Sequence, residues 1–242
     1  MMDLALEGSL SGKVNLYDID YRLASENMKV GNKISEMDDA KSGWKYSVVK
    51  TLDEALSEAD FVVLSIMPGN YDQMASDVHW PEKYGIYQSV GDTVGPGGIL
   101  RAMRTIPIYI EFAEAIKKIC PDAWIINYTN PMTICTRILY RIFPEAKAFG
   151  CCHEVFHIQK LLAEMVKEMI GDKNVTRQDI SINVLGLNHC TWIDRASYKG
   201  LDLFPYFKEF SEKYKEIGYN KHLEKKWPEN PFGCNTLVVF NL

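Results

Sequence analysis

The sequence lacks the features that would place this chain in a membrane, outside the cell or on a nucleic acid. No apolar stretch reaches the roughly 20 residues that a membrane-spanning helix needs. The first residues include acids and lack the basic and then apolar layout of a signal peptide. The net charge of −5 gives no reason to expect nucleic acid or an anionic membrane as a partner.

The sequence also lacks the cysteine spacing of a secreted, disulfide-stapled domain. Its six cysteines are scattered, and the adjacent Cys151 and Cys152 are poorly placed to bridge each other. We therefore predict free thiols and a cytoplasmic location. The 242 residues, 47% hydrophobic and 24% charged, have an ordinary globular composition, and their number suits one large domain or two small ones.

Strand-like and helix-like segments alternate along the chain, which predicts a parallel α/β sheet. The predicted strands cover 13–20, 44–50, 61–66, 124–128 and 146–151. The run over 61–66 is continuously apolar, which is typical of a strand buried on both faces. Residues 71–98, rich in glycine and aromatics, are predicted as a long functional loop before a helix over 106–119.

One element of a dinucleotide-binding fold is missing. Such a fold opens with a strand and a G-x-G turn before the strand that ends in an acid, and no such turn precedes Asp18. We predict a Rossmann-like, doubly wound parallel sheet that lacks its first strand, in a fragment that lacks both ends. Residues 1–150 would form the dinucleotide-binding domain, and 151–242 the first part of an α+β domain for substrate and metal.

Cys152 and His189 carry the strongest chemical signal. Cys152 follows a predicted strand in the run Cys-Cys-His-Glu, and His189 ends the run Gly-Leu-Asn-His. Thiolate and imidazole are both good ligands for a borderline transition metal. Taken separately, each residue is more often a packing or hydrogen-bonding residue of a core. Taken together at adjacent strand ends, they make a metal site as reasonable as core packing, with Cys151 and Cys190 turned into the core.

Polar residues after the other strands are weaker candidates. In parallel sheets ligands collect beyond the carboxyl ends of the strands, where Asp18 and Asn130 also lie. Asp18 either hydrogen-bonds the adenosine ribose of NAD or is a turn acid or helix N-cap. Asn130 either offers its amide to a sugar hydroxyl or the nicotinamide, or only forms a turn with Pro131. The glycines of 92–98 precede no Lys-Ser/Thr, so a phosphate-binding P-loop is rejected in favour of a mobile active-site loop.

Basic and histidine pairs each have a functional and a structural interpretation. Arg101 and Arg104 share a helical face. Either they are a basic pair on the surface, or one of them binds a substrate carboxylate through two hydrogen bonds. His153 and His157 are spaced as a His-x-x-x-His pair, but the residues between them do not follow the zinc-protease order. We therefore discount a zinc site there.

Five runs together resemble glycoside hydrolase family 4, the NAD- and manganese-dependent glycosidases related in fold to lactate and malate dehydrogenases. They are Leu-Tyr-Asp-Ile at 16–19, Asp-Thr-Val-Gly-Pro-Gly-Gly at 92–98, Asn-Tyr-Thr-Asn-Pro at 127–131, Cys-His-Glu at 152–154 and Gly-Leu-Asn-His at 186–189. The resemblance covers essentially the whole chain, and the ordered set is specific although no single run is. Cys-His-Glu-Val at 152–155 resembles the α-galacturonidase branch.

The resemblance implies a role for each matching residue. It implies that Cys152 and His189 bind Mn²⁺, that the sugar pocket includes Asn130, His153 and Glu154, and that the catalytic candidates are Asp92 and His153. The positions of the other residues, and not the resemblance, make Arg104 the candidate for the substrate carboxylate and Asp18 and Asn130 the candidates for the cofactor. On softness alone a thiolate favours zinc over manganese, so the metal's identity comes from the resemblance.

The implied reaction is a redox-assisted elimination, an exception to the two-carboxylate rule for glycosidases. NAD⁺ takes a hydride from C3, the metal polarises the resulting ketone, a base removes the C2 proton and the C1 leaving group departs. Water then adds and the hydride returns. The base is expected beyond Leu242, so we predict that this chain alone binds NAD⁺ poorly and turns over little.

Three alternatives remain open. The first is an α-galactosidase or α-glucosidase of the same family. The second is a 2-hydroxy-acid dehydrogenase of the malate type, which uses an Asp-His pair without a metal and would leave Cys152 and His189 unexplained. The third is a non-catalytic α/β remnant. For an enzyme of the family we expect a small sugar as the partner, no nucleic acid or membrane, and a homo-oligomer at full length.

Overall fold

The protein is described by a computed structural model covering residues 1–87, 91, 93–215 and 219. The chain divides into two compact units. The first comprises Met1–Ile66, Arg104–Thr129 and Ile134–Gly150, and the second comprises Met67–Met103, Asn130–Thr133 and Cys151–Leu242. The predicted domain boundary after residue 150 coincides with a point at which the chain passes from the first unit to the second. The second unit, however, also takes in 67–103 and 130–133, which the sequence assigned to the first domain.

The described residues form eight α-helices and eight strands. The helices are α1 (Met2–Leu6), α2 (Tyr21–Ser35), α3 (Leu52–Leu56), α4 (Tyr71–His79), α5 (Gly95–Ile119), α6 (Met132–Ile142), α7 (Glu154–Met169) and α8 (Phe204–Tyr214). The strands are β1 (Gly12–Leu16), β2 (Trp44–Val48), β3 (Phe61–Leu64), β4 (Trp124–Asn127), β5 (Lys147–Gly150), β6 (Ile180–Leu187), β7 (Cys190–Tyr198) and β8 (Leu201–Asp202). Within the part of the chain that the structure describes, no helix is both long and apolar enough to cross a membrane.

The first unit contains two parallel sheets. One pairs β1 with β2, and the other has the order β3-β4-β5. Among the described residues, β1 pairs only with β2. Within the same part of the chain, strand β3 pairs only with β4 and therefore forms one edge of its sheet. The predicted parallel α/β architecture is therefore confirmed.

The core of the first unit lies between the β3-β4-β5 sheet and helices α5 and α6. Its most buried side chains include Tyr109, Ile125 and Leu139, all with no exposed surface. The burial of β3 alternates: Val62 and Leu64 are buried, whereas the residues between and before them are exposed. The prediction of a strand buried on both faces was therefore wrong, because one pleat face of β3 has no layer over it in the described chain.

The second unit is built on an antiparallel sheet with the order β6-β7-β8. Helices α7 and α8 contribute to its core, which includes Met165 and Val166 on α7, Ile180 on β6 and Leu203 before α8, each at most 2% exposed. The long strands β6 and β7 form a hairpin in which Leu187 pairs with Cys190. This antiparallel sheet with flanking helices has the α+β organisation that the sequence predicted.

The segment predicted as a long loop is mostly helical. Helix α4 begins at a capping box in which Asn70 and Gln73 exchange side-chain to backbone hydrogen bonds, and a 3-10 helix follows over Trp80–Tyr84. Helix α5 then starts at Gly95 and runs through Pro107. The loop prediction was wrong because the Asn-Gln capping box was missed and because the helix predicted from residue 106 begins at Gly95.

The glycines before and within the start of α5 allow close backbone packing. A Cβ atom on Gly98 would lie 2.5 Å from the backbone carbonyl of Thr93, and one on Gly97 would lie 2.0 Å from the carbonyl oxygen of Gly91. No side chain fits in that space. This run therefore packs tightly against its own preceding turn and holds Thr93 in place.

Candidate metal centre

The second unit brings Cys152 and His189 together. Cys152 lies two residues after β5 and two before α7. His189 occupies the two-residue turn between β6 and β7, with a φ angle of 60°. This left-handed backbone is uncommon outside glycine, although histidine is among the residues that adopt it more readily. The turn thus presents the imidazole at the exposed end of the hairpin.

The side chains meet at hydrogen-bonding distance. The Sγ atom of Cys152 lies 3.4 Å from Nε2 of His189. Glu154 joins them, and one potential ligand atom from each of the three residues lies within 4.8 Å of the others. All three residues are half-buried. Thiolate, imidazole and carboxylate are established ligands of divalent transition metals, so this donor set fits a metal ion.

Thr93 fixes the orientation of the imidazole. Its hydroxyl oxygen lies 3.0 Å from Nδ1 of His189, and the residue is only 6% exposed. In the tautomer with the proton on Nδ1, that N–H donates to Thr93 and the Nε2 lone pair faces Cys152. Histidines that bind metals are commonly held in this way by a hydrogen bond to the second nitrogen.

Glu154 connects the first turn of α7 to the hairpin turn. Its Oε2 atom accepts a hydrogen bond from the backbone N–H of His189 at 3.1 Å and another from the hydroxyl of Thr191 at 3.0 Å. Its own backbone N–H donates to Sγ of Cys152 at 3.4 Å. The sequence placed Glu154 among sugar-binding residues and missed its proximity to the metal candidates. The Cys-His-Glu run itself was the available signal, because it puts the carboxylate in the first turn of α7.

The neighbouring histidines do not join this cluster. His153 is exposed, and its ring packs 4.6 Å from that of His157. Burial, followed by His153 and Lys160, lowers the pKa of His157 below its ordinary value. Among the described residues, the only group of three or more metal-binding side chains is that of Cys152, Glu154 and His189.

The predicted cysteine decoys are not core residues. Cys190 is exposed and Cys151 is half-buried. The expectation that both would turn into the core was wrong. Cys190 pairs with Leu187 at the end of the hairpin, where nothing in the described chain covers it.

The cofactor candidates lie in exposed or half-buried positions. Asp18 is exposed after β1, and its carboxylate accepts a hydrogen bond from the backbone N–H of Asp20 at 2.8 Å. Asp20, and not Asp18, caps α2. Asn130 is half-buried and precedes a cis peptide bond to Pro131. The roles assigned to Asp18 and Asn130 remain predictions.

Asn127, which the sequence did not single out, organises the turn after β4. It has no exposed surface, and its Oδ1 accepts hydrogen bonds from the hydroxyl of Tyr109 at 2.5 Å and the N–H of Thr129 at 2.9 Å. Its Nδ2 donates to the hydroxyl of Thr136 at 3.4 Å. An asparagine at the end of a buried strand was the available signal.

The remaining candidates from the sequence are the two arginines of α5 and Asp92. Arg104 is half-buried on α5 and Arg101 is 8% exposed, so the pair does not lie on an open surface. The contact of Arg104 with a substrate carboxylate stays a prediction. Asp92 lies outside the described residues.

Family models match most of the chain. A model described as family 4 glycosyl hydrolase matches residues 1–168, and one described as family 4 glycosyl hydrolase C-terminal domain matches residues 184–241. The α-galacturonidase of Thermoanaerobacterium saccharolyticum is 57% identical over 242 residues, which are all of this chain and 52% of that protein. The α-galactosidase of Bacillus subtilis is 31% identical over 226 residues, 91% of this chain and 48% of that protein. The chain thus spans about half the length of these relatives.

Solved structures agree with the fold. The Bacillus subtilis protein lplD, described as a glucosidase, has a TM-score of 0.83 and 55% identity over 90% of this chain and 49% of its own. A 6-phospho-α-glucosidase from gut microorganisms, in complex with NAD and Mn²⁺, has a TM-score of 0.67 and 26% identity over 85% of this chain and 44% of its own. The lactate dehydrogenase of Eimeria maxima, 19% identical with a TM-score of 0.51 over 84% of this chain and 53% of its own, shares the fold alone.

These matches decide between a family 4 glycosidase and a hydroxy-acid dehydrogenase, two of the alternatives that the sequence left open. A hydroxy-acid dehydrogenase leaves Cys152 and His189 without a role, whereas the family models cover both residues. The chain belongs to the family 4 glycosyl hydrolases.

Proposed function

We propose that the protein carrying this chain is a cytoplasmic α-galacturonidase that uses NAD⁺ and Mn²⁺. The observation that carries the proposal is the approach of Cys152 Sγ to His189 Nε2 at 3.4 Å, with Glu154 beside them. Four relatives named α-galacturonidases support the substrate, since they are 50–57% identical over the whole chain. The α-galactosidase relative is only 31% identical, which favours the acidic sugar.

The donor set supports a metal ion, and the relatives support its identity. Cys152 and His189 would hold the ion, and the Thr93 hydroxyl would keep His189 oriented toward it. The ligands alone would also suit zinc. Mn²⁺ is favoured because a structural relative was crystallised with NAD and Mn²⁺.

The proposed chemistry assigns distinct tasks to the cofactors and the side chains. When bound, NAD⁺ accepts and later returns the C3 hydride, and Mn²⁺ withdraws electron density from the oxygens at C2 and C3. Asp18 would bind the ribose of NAD⁺, Asn130 and Glu154 the sugar, and Arg104 its carboxylate.

Proton transfer completes the balance of the reaction. The C2 proton leaves as the C1–oxygen bond to the leaving group breaks, and water then adds at C1 while a proton returns to C2. The net change is hydrolysis with NAD⁺ regenerated. His153, exposed at the start of α7, is the proposed proton-handling side chain, and Asp92 is proposed to act near the glycosidic oxygen.

The test uses the gene product that carries this chain at its full natural length. Hydrolysis of an α-galacturonide, an α-galactoside and an α-glucoside is measured with and without Mn²⁺ and NAD⁺, in D₂O. We expect cleavage of the galacturonide that requires both cofactors and leaves deuterium at C2. Cleavage of only a neutral sugar would overturn the substrate assignment. Turnover of hydroxy acids with accumulation of NADH would overturn the glycosidase.

A pair of cysteine variants tests the metal residues in the same assay. Cys152→Ser should abolish Mn²⁺-dependent cleavage, because serine does not supply the thiolate ligand. The adjacent Cys151→Ser is the matched control and should retain activity. Equal activity of both variants would rule out Cys152 as the ligand.

A further inference from the structure

We propose that Glu154 is a positioning residue that holds the His189 turn through hydrogen bonds and does not itself bind the metal. The inference depends on the proposed function only in placing a metal at Cys152 and His189. It separates two roles that the proximity of the three side chains leaves open, since a carboxylate so close to a thiol and an imidazole could be a third ligand.

The hydrogen bonds of Glu154 point to the positioning role. Its Oε2 atom accepts from the backbone N–H of His189 at 3.1 Å and from the hydroxyl of Thr191 at 3.0 Å. A carboxylate oxygen has two lone pairs, so both acceptor positions of Oε2 are used. Both donors belong to the turn that carries His189. The Oε2 atom is therefore committed to the support of the ligand's backbone.

The end of the hairpin needs such support because, in the part of the chain that the structure describes, little packing holds it. Leu187 is 58% exposed, Trp192 is 63% exposed, and Cys190 is also exposed. His189 itself has a positive φ angle of 60°, a conformation less favourable for a residue with a Cβ atom. Hydrogen bonds to the first turn of α7 therefore fix a turn that its own side chains do not bury.

The contacts of Glu154 also fix the distance between Cys152 and His189, the two candidate metal ligands. Glu154 donates its backbone N–H to Sγ of Cys152, while its side chain holds the backbone of His189. One residue thus contacts both candidate ligands, from two different atoms. Loss of the side-chain contact should free the turn while leaving Cys152 in place.

The experiment measures Mn²⁺ affinity by titration calorimetry, with the free ion followed by electron paramagnetic resonance, in the full-length protein without substrate. The variants are Glu154→Gln, Glu154→Ala, Thr191→Val and Thr191→Ser. Glutamine retains an oxygen that can accept both hydrogen bonds but removes the negative charge and the second oxygen. Valine matches threonine in shape but removes the hydroxyl, and serine restores it.

We expect Glu154→Gln and Thr191→Ser to bind Mn²⁺ about as well as the unaltered protein. Glu154→Ala and Thr191→Val should bind it more weakly, by about 10- to 100-fold for the alanine variant, which is the usual effect of removing an outer partner of a metal ligand. Thermal melting without metal confirms that each variant is folded. A Glu154→Gln variant that loses as much affinity as Glu154→Ala, with Thr191→Val unchanged, would overturn the proposal and make Glu154 a ligand.

Two further variants separate this inference from the proposed function. Cys152→Ser and His189→Ala should each lose Mn²⁺ binding. If they do and all four Glu154 and Thr191 variants bind normally, the positioning role is wrong and the metal site stands. If neither affects Mn²⁺ binding, the metal site of the proposed function is wrong, and the positioning role is overturned with it.

Discussion

The Nδ1 atom of His189 lies 3.0 Å from the hydroxyl oxygen of Thr93, a residue 96 positions earlier in the chain. Thr93 is 6% exposed, so water has little access to this contact. A hydrogen bond shielded from water is stronger than an exposed one and constrains its partners more firmly. The contact therefore selects the ring orientation in which Nε2 faces Cys152.

This relationship predicts that Thr93→Val weakens Mn²⁺ binding although Thr93 does not contact the metal. Valine has the shape of threonine but cannot hydrogen-bond Nδ1, so the ring loses its fixed orientation. We expect a loss of about 10- to 100-fold in Mn²⁺ affinity, measured by titration calorimetry.

Thr93→Ser is the control for that prediction. Serine keeps the hydroxyl, and Mn²⁺ affinity should stay close to that of the unaltered protein. If both variants bind Mn²⁺ equally well, the hydroxyl does not orient His189 and the prediction is wrong.

The glycine run at the start of α5 gives a second prediction. Gly98→Ala places a Cβ atom 2.5 Å from the backbone carbonyl of Thr93, so the turn that carries Thr93 must move. Overpacking of this kind costs about 1–3 kcal/mol in the free energy of unfolding. Urea denaturation should show that loss, and Mn²⁺ titration should show weaker binding because Thr93 is displaced.

Gly43→Ala is the matched control for Gly98. A Cβ atom on Gly43 has no neighbour within 4 Å, and its φ angle is not in the left-handed range. This variant should leave the free energy of unfolding and Mn²⁺ affinity nearly unchanged. Similar effects of the two substitutions would show that the close packing at Gly98 is not what holds Thr93.

The sequence was sufficient to predict the parallel α/β fold, and it placed Cys152 and His189 at adjacent strand ends while leaving a metal site and core packing as equal alternatives. Both rest on local patterns: an apolar strand delivers Cys152, and a polar turn between two strands carries His189. The contribution of Thr93 could not be predicted in this way. Its contact with His189 depends on how a distant turn packs, and no periodicity in either segment reports that packing.

The elements that were mispredicted show a related limit. Helix α5 begins at Gly95, whereas the sequence predicted its start at residue 106. The alternating burial of β3 was missed because Phe61 and Val63 are apolar yet 59% exposed. An apolar run shows only that burial would be favourable, whereas the layers around a strand decide whether it occurs.

A third prediction concerns Tyr109, whose hydroxyl donates to Asn127 at 2.5 Å with both residues fully buried. Burial raises the pKa of Tyr109 above its ordinary value, which favours the neutral phenol as a hydrogen-bond donor. Tyr109→Phe removes this donor from a buried acceptor. The free energy of unfolding in urea should fall by about 1–3 kcal/mol.

Tyr71→Phe provides the comparison for Tyr109, since Tyr71 is 76% exposed. It should change the free energy of unfolding by no more than about 0.5 kcal/mol. Equal effects of the two substitutions would mean that the hydroxyl of Tyr109 adds nothing beyond the packing of its ring.

The last prediction concerns the acid stability of the second unit. The Tyr198 hydroxyl donates to Asp172 at 2.5 Å, and the N–H of Asn174 and the ammonium of Lys199 lie at 3.1 and 3.2 Å from the same carboxylate. These contacts, led by Tyr198, lower the pKa of Asp172 from 3.8 to about 2. The ionised carboxylate is therefore favoured in the folded state.

A lowered carboxyl pKa stabilises the fold above the unfolded pKa, and this contribution is lost as the pH falls through the folded value. For Asp172 the loss should occur between about pH 4 and pH 2. Thermal melting across that range should fall less steeply for Asp172→Asn, because its amide does not titrate. Tyr198→Phe should move the loss toward higher pH, since it removes the main cause of the shift. If both variants melt in parallel with the unaltered protein across this range, Asp172 does not contribute to its acid sensitivity.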